Sequence, residues 1–301
     1  MVGIKQLPML PLGRLEKLYL FYSQRLKDPR YSVNMFHRKH RPFRSKDSTA
    51  RLVKEGYEKN IIMGPFLYCN HGICVEVFKD ERNPLKEMEK LKKDPSTFRV
   101  IALCGDHSLV VFSKGPSILK YTEVIKPCSP GKKTDFTFNN MEPIISENKG
   151  ILPSDPYPHG WDEFDWKVYE IMGDAVQTPF LQVGEALGVS WKTASNHYKK
   201  ILESCKVLCC FFPFGYSGYS HLLFTFETEY EVGIRKMLTF LDRTSYLYKF
   251  DNKLMVILFL DNLEIVNETP KKFLKLEEIG LIHHFNASIP VENWTKFNDI
   301  P

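Results

Sequence analysis

Residues 180–202, FLQVGEALGVSWKTASNHYKKIL, constrain the local fold more than any other stretch of the chain. Their pattern predicts two helices joined at a sharp angle, because Gly188 supplies a turn that needs a residue without a Cβ. Ser190 is placed to cap the second helix with its hydroxyl. The residues of that helix that would face a core recur at helical spacing: Ala194, Tyr198 and Ile201. The stretch therefore predicts a helix-turn-helix.

The outward face of the second helix is rich in amides, hydroxyls and cationic groups, as reading the major groove of DNA requires. The residues that we expect to contact DNA there are Lys192, Thr193, Ser195, Asn196, His197, Lys199 and Lys200. The alternative interpretation is an ordinary helical hairpin with a solvated polar face.

Two flanking segments complete this unit. The preceding segment, WDEFDWKVYEIMGDA, carries apolar residues at helical spacing and predicts a helix that packs behind the other two. The apolar run 207–214 that follows predicts an extended strand, or wing. Residues 161–212 are thus predicted to form a winged helix-turn-helix head.

The chain repeats one plan at a spacing of about 145 to 148 residues. In residues 213–301 the pattern predicts strand, helix, strand, strand, helix and strand, which is the order of a ferredoxin-like sandwich. Residues 64–128 repeat this order with a shortened or absent second helix. Prolines and glycines in residues 129–160 are typical of a linker. The predicted fold class is therefore α+β, with two winged helix-turn-helix heads alternating with two ferredoxin-like (βαββαβ) sandwiches.

Residues 1–63 correspond to the second head more loosely, since RPFR replaces the glycine turn and either Thr49 or Ala50 could face inward. The net charge of the whole chain is only +5, yet residues 14–62 hold 13 Lys and Arg against 5 Asp and Glu. Such a basic block is a candidate phosphate-binding surface, or else a solvated loop. The residues that we expect on DNA phosphates are Arg38, Lys39, Arg41, Arg44 and Lys46.

Other sequence features bear on the location of the protein. No apolar run reaches the length of about eighteen residues that a membrane span requires, and the N-terminus lacks the features of a secretory signal. The seven cysteines are scattered and odd in number, which favours reduced thiols. We therefore expect a cytoplasmic protein without a membrane partner.

A helix-turn-helix followed by a βαββαβ pattern resembles the feast/famine (Lrp/AsnC) transcription regulators of archaea and bacteria. The resemblance is carried by LQVGEALGVSWKTASNHYKKILE and by residues 219–289, and it extends more loosely over 14–128. It implies a sequence-selective regulator that binds double-stranded DNA, here as an intramolecular pseudo-dimer because the family plan occurs twice in one chain. It also implies an amino-acid effector near Gly105 and Asp106, and assembly into homo-oligomers.

Three alternatives remain open on the sequence. Cys69, His71 and Cys74 could bind a metal, but no second ligand pair stands at a usual spacing, so we expect neither a metal nor another cofactor. Siroheme decarboxylases resemble the same plan, and the candidate residues for that chemistry are His37, Arg38, His40 and Arg41. An effector-sensing protein that does not bind DNA is the third. The regulator interpretation predicts no enzymatic activity.

Overall fold

The computed structural model describes residues 9–115, 119–132, 138–261 and 263–296. The helices are α1 (Leu12–Arg25), α2 (Val33–His40), α3 (Lys46–Glu58), α4 (Pro84–Leu91), α5 (Phe138–Ser146), α6 (Glu163–Met172), α7 (Phe180–Leu187), α8 (Trp191–Ser204), α9 (Glu231–Leu238) and α10 (Leu263–Glu278). The strands are β1 (Ile62–Tyr68), β2 (Ile73–Phe78), β3 (Thr97–Gly105), β4 (Leu109–Lys114), β5 (Leu119–Ile125), β6 (Lys206–Phe211), β7 (Ser220–Glu227), β8 (Ser245–Phe250), β9 (Lys253–Leu260) and β10 (His283–Thr295). The α+β class is confirmed. No helix of the described residues is long and apolar enough to cross a membrane.

Helices α6, α7 and α8, here called the second head, follow the local pattern of the sequence. Gly188 ends α7 with a φ of 66°, the left-handed conformation that glycine adopts at little cost. The Ser190 hydroxyl accepts the backbone N–H of Thr193 at 3.1 Å and caps α8. The residues of α8 predicted to face inward are buried: Ala194, Tyr198 and Ile201.

Helices α1, α2 and α3, here called the first head, form a similar three-helix unit with a different turn. Arg41 ends α2 in the left-handed region, with a φ of 42°, where the second head has glycine. Thr49 is the inward residue of the ambiguous pair, since it is fully buried and its hydroxyl lies 2.9 Å from Nδ1 of His37. The first head therefore reaches the same geometry with a less suitable turn residue.

Strands β1 and β6 pair antiparallel and form a two-stranded ribbon that joins the two heads. Cys209 and Phe211 of β6 pack into the core of the first head, although β6 follows the second head in sequence. Leu67, at the far end of β1, packs into the core of the second head. The heads also touch directly, because Arg30 donates to the carbonyl of Thr178 at 3.0 Å. The two heads are therefore interlocked.

The remaining strands form one eight-stranded sheet in the order β2-β4-β3-β10-β7-β9-β8-β5. The second copy of the plan is contiguous in this order, as β10-β7-β9-β8. The first copy is not, because its last strand, β5, pairs with β8 of the second copy. Strands β3 and β10 join the two copies edge to edge. Seven of these eight strands, all except β10, contribute buried side chains to a shared apolar core. Edge pairing and face packing therefore both hold the copies together.

The segment predicted as a linker is more ordered than its composition suggests. It contains α5, which packs on α9, and Gly150 bridges to Tyr230. Asp155 is buried, accepts the amide of Thr122 at 2.8 Å and forms an ion pair with Lys206. Helix α5 thus covers an apolar face of the sheet that a shortened first copy leaves open.

Candidate functional site

A cavity of about 470 Å³ lies where the second head meets the sheet. It is bounded by the β1–β2 connection, the entry to β3, the end of β4, helix α6 and two residues from distant parts of the chain. The lining residues are His71, Pro95, Phe98, Lys114, Tyr157, Trp166, Tyr169, Glu170, Gly173, Asp174 and Lys296. The volume lies within the usual range of small-molecule sites.

The walls of the cavity are largely aromatic. The ring of His71 packs edge-on against Phe98, with 5.7 Å between centroids, and also contacts Tyr169. Trp166 stands 6.3 Å from Tyr157 and 6.2 Å from Tyr169. Flat rings arranged around an open space suit a flat, conjugated ligand, because offset and edge-on contacts between rings are favourable.

Cationic groups lie beside these rings. The side-chain ammonium of Lys114 has no hydrogen-bond or ion-pair partner in the part of the chain that the structure describes. Lys296 donates to the carbonyl of Pro95 at 3.3 Å. Glu170 and Asp174 line the α6 side, so the charge of the cavity is mixed. An anionic group on a ligand would be drawn toward the two lysines and away from α6.

His71 has a defined orientation in the wall. Its Nδ1 lies 3.1 Å from the carbonyl oxygen of Cys69, an acceptor, so Nδ1 carries the proton that it donates. In the neutral ring the lone pair is then on Nε2, which makes that nitrogen the one able to exchange a proton. A histidine with a fixed tautomer in an aromatic wall can take part in acid–base chemistry.

The predicted DNA-reading residues of α8 divide into two groups. Lys192, Asn196 and Lys199 are exposed, whereas Thr193 and Ser195 are half-buried. His197 and Lys200 bind the buried carboxylate of Asp165 instead, with His197 Nδ1 at 2.7 Å. Burial opposes ionisation of Asp165, but the hydrogen bonds from Lys200 and His197 lower its pKa. His197 and Lys200 therefore fasten α8 to α6.

The basic block of the first head forms a second open cavity, of about 530 Å³, lined by His37, Arg38, Arg41, Phe43 and Arg44. Its three arginines are exposed and have no ion-pair partner among the described residues. Lys39 and Lys46 are exposed nearby in the chain. His40, in contrast, is half-buried, and burial lowers its pKa. The cluster carries positive charge that no carboxylate of the described residues neutralises.

The predicted effector turn is occupied by the chain itself. The carboxylate of Asp106 accepts the backbone N–H of Ala287 at 2.8 Å, and its own N–H donates to the Ala287 carbonyl. A Cβ on Gly105 would lie 2.5 Å from that same carbonyl oxygen. Strand β10 therefore fills the space beside the turn, and an effector at Gly105 and Asp106 stays a prediction.

The three residues weighed as metal ligands do not converge. Cys69 Sγ lies 4.0 Å from Nδ1 of His71, but Cys74 lies on β2, with its thiol 3.9 Å from Glu76. Within the described ranges, the group with metal-binding spacing is Asp162, Asp165 and His197. Lys200 and the helix cap of α6 already engage its carboxylates.

The sequence did not single out the aromatic cavity, because its walls come from segments far apart in the chain.

No protein-family model and no curated protein sequence matches this chain. Two solved structures match it in three dimensions. The crystal structure of the siroheme decarboxylase NirDL superposes with a TM-score of 0.53 at 10% identity, over 95% of this chain and 94% of that one. The same protein in co-complex with an iron-uroporphyrin III analogue gives a TM-score of 0.52 at 9% identity over the same shares. The chain thus shares its overall fold with a siroheme decarboxylase over 95% of its length.

Proposed function

We propose that the protein binds a carboxylated tetrapyrrole in the aromatic cavity and removes CO₂ from a side chain of that macrocycle. The observation that carries this proposal is the cavity, which combines aromatic walls with cations at a head–sheet junction. The fold likeness to a siroheme decarboxylase supports the choice of ligand class. The proposal favours an enzyme, and so departs from the regulator that the sequence pattern suggested.

Binding would use two kinds of contact. The rings of Trp166, Tyr157 and Phe98 offer flat surfaces to a conjugated macrocycle. The ammonium groups of Lys114 and Lys296 would pair with carboxylates at its periphery. The cavity opens to solvent, so one edge of the macrocycle would be held while the rest stays outside.

The chemistry would need a proton donor and no oxidant. The bond between the methylene carbon and the carboxylate carbon breaks, CO₂ leaves, and the remaining electron pair takes up a proton, so an acetate becomes a methyl group. His71 is the candidate donor: with Nδ1 held by the Cys69 carbonyl, Nε2 would take a proton from solvent, deliver it to the carbon as the imidazolium, and return to the neutral ring. Aromatic walls around the departing carboxylate exclude water and favour its conversion to neutral CO₂.

The direct test is a spectroscopic titration of the purified protein with iron uroporphyrin III, together with mass analysis of siroheme after incubation. We expect a shift in the absorbance of the macrocycle and the loss of CO₂ from siroheme. The ester of the same macrocycle, which lacks carboxylates, should bind more weakly. His71→Gln should bind but not release CO₂, whereas the exposed Lys192→Gln on α8 should match the wild type. A folded protein that neither shifts the spectrum nor releases CO₂ would rule the proposal out.

A second candidate is the binding of double-stranded DNA by the first head. It is favoured by Arg38, Arg41 and Arg44, which surround one cavity and form no ion pair with any described residue. With this function we also propose the domain assignment of a DNA-binding pseudo-dimer. It places winged heads at 1–63 and 161–212 and ferredoxin-like sandwiches at 64–128 and 213–301. Replacing the three arginines with glutamine should weaken binding to every duplex and flatten its salt dependence, while Lys54→Gln should change little. Equal binding by the triple variant and the wild type would eliminate it.

A further inference from the structure

Cys69 and Cys205 stand opposite each other where the ribbon meets the second head. The ribbon pairs Leu67 with Val207 and Tyr68 with Lys206. One residue further along the same antiparallel register, Cys69 faces Cys205. Both side chains contribute to the apolar core of the second head. The two thiols are therefore cross-strand neighbours, although 136 positions separate them in the sequence.

The backbone amides give the spacing of this pair. The N–H of Cys69 bonds to the hydroxyl of Tyr169, and the N–H of Cys205 bonds to the carbonyl of Ile201. Neither amide bonds across the ribbon, which is the pattern of a non-hydrogen-bonded pair, with Cα atoms about 4.5 Å apart. Disulfides form at Cα separations of about 4.4 to 6.8 Å. The pair thus meets the distance requirement without a rearrangement of the backbone.

The surroundings of the pair activate one of its thiols. Hydrogen bonds, first from Cys205 and then from His71, together lower the pKa of the Cys69 thiol to about 6 against the opposing effect of burial. All seven cysteines are reduced in the structure. A thiolate next to a second thiol is the arrangement that oxidants convert most readily to a disulfide. Cys205 is half-buried, so the pair lies close to the surface.

We propose that Cys69 and Cys205 form a reversible disulfide in response to peroxide. The Cys69 thiolate attacks one oxygen of the peroxide, which gives a sulfenic acid and, after protonation, one molecule of water. The Cys205 sulfur then attacks the sulfenic sulfur and releases a second water. Two thiols and one hydrogen peroxide thus give one disulfide and two waters, and an added dithiol reverses the reaction.

The disulfide would also act on the cavity, a consequence that rests on the proposed function. His71 follows Cys69 by two residues, and its Nδ1 is held by the Cys69 carbonyl. A covalent bond at Cys69 would tie this wall to the end of α8 and restrict its adjustment to a ligand. We expect the oxidised protein to bind iron uroporphyrin III about tenfold more weakly than the reduced protein.

Peptide mapping of the full chain without any macrocycle tests the disulfide by itself. After treatment with hydrogen peroxide and blocking of free thiols, trypsin should release peptide 60–79 linked to peptide 201–206. Dithiothreitol should separate them. Because peptide 60–79 also contains Cys74, the linked species must persist in Cys74→Ser. It must also persist in Cys104→Ser, a matched variant at an exposed thiol, and vanish in Cys69→Ser and in Cys205→Ser.

The outcomes separate the two proposals. Oxidation of Cys104 without any linked peptide in the folded protein would overturn the disulfide, because it shows that the oxidant was active. A linked peptide in a protein that binds no macrocycle would leave the disulfide standing and remove the proposed function. A linked peptide with unchanged macrocycle binding would overturn the coupling between them.

Discussion

The two copies of the plan differ at the connection that leads from the ribbon into the sheet. After β1, the connection 69–72 borders an open cavity that is also lined by Lys114, whose ammonium group has no partner among the described residues. After β6, the connection 212–219 is filled by rings, with Phe212 at 4.8 Å from Phe259 and 5.8 Å from Tyr219. The cation of this closed junction, Arg243, is buried and donates to the Phe259 carbonyl at 2.7 Å.

This difference shows that the two copies of a duplicated plan can serve different roles, one in stability and the other in forming a cavity. In the closed junction the aromatic rings pack against one another, and this packing contributes to the stability of the sheet. The open junction presents similar rings to a space of about 470 Å³. One copy can lose its cavity without unfolding the chain, because the shared core holds both copies together. We therefore expect one junction to be packed and the other to keep a cavity if the protein needs only one ligand-binding site.

The largest effect should come from truncating a ring in the closed junction. Phe212 is fully buried, so Phe212→Ala should lower the free energy of unfolding by about 4 kcal/mol through lost contacts and a residual cavity. Trp166 at the open junction is half-buried, and Trp166→Ala should cost only about 1 to 2 kcal/mol while weakening macrocycle binding. Urea unfolding monitored by circular dichroism compares the two. Equal losses would mean that both junctions serve stability alike.

A smaller effect should follow from acidification at the turn between β3 and β4, which packs against the second copy away from both junctions. His107 is buried between the copies, with Nε2 2.6 Å from the Thr225 hydroxyl, and burial lowers its pKa to about 4. The unfolded chain takes up this proton near pH 6.5, so stability is lost as the pH falls from about 6.5 toward 4. We expect a loss of roughly 2 to 3 kcal/mol by pH 4.5 from this group.

Unfolding free energies measured at pH 7 and pH 4.5 check this expectation. His107→Gln removes the titrating ring and should show a flatter dependence on pH than the wild type. Parallel curves for the two proteins would show that His107 does not titrate differently in the folded and unfolded states.

At the open junction, removing one cationic side chain should weaken the binding of the proposed ligand. Lys114→Gln should raise the dissociation constant for iron uroporphyrin III about tenfold, since one charge-assisted contact is lost. Stability should hardly change, because the ammonium group of Lys114 binds no other group of the described residues. Lys253→Gln, an exposed lysine on β9, is the matched control. Equal weakening by both variants would indicate a general effect of charge and not a contact in the cavity.

The smallest effects concern the turns of the two heads. Gly188→Ala places a Cβ on a residue with a φ of 66° and should cost about 1 kcal/mol. Arg41 already carries that strain at a φ of 42°, so Arg41→Gly should stabilise the protein by about 0.5 kcal/mol. Thermal unfolding of both variants measures the two changes in stability. Shifts of the same sign would contradict the interpretation of the two turns as equivalent.

The elements that could be predicted from sequence depend on near neighbours in the chain. The burial of Ala194 and the cap at Ser190 follow from spacing within a single helix. The charge of the first head was also visible, because its arginines are close together in sequence. Thr49 was left ambiguous, since only packing against the other helices decides which of two adjacent residues faces inward.

The elements that could not be predicted depend on pairing between the copies. Nothing near β5 indicates that it would join β8, and nothing near Gly105 indicates that β10 would occupy its turn. The aromatic cavity combines residues from His71 to Lys296, so no local pattern marks it. Similarly, the contact between Cys69 and Cys205 becomes evident only from the register of the ribbon.

The exchange of strands between the heads has a consequence for biosynthesis. The core of the first head is completed by Phe211, which leaves the ribosome long after α3 has been made. The first half of the chain must therefore wait, partly exposed, for the second, and a nascent chain cut within residues 129–160 would be a target for chaperones and proteases. Two separately expressed halves should be insoluble or degraded alone and should recover a folded complex when produced together.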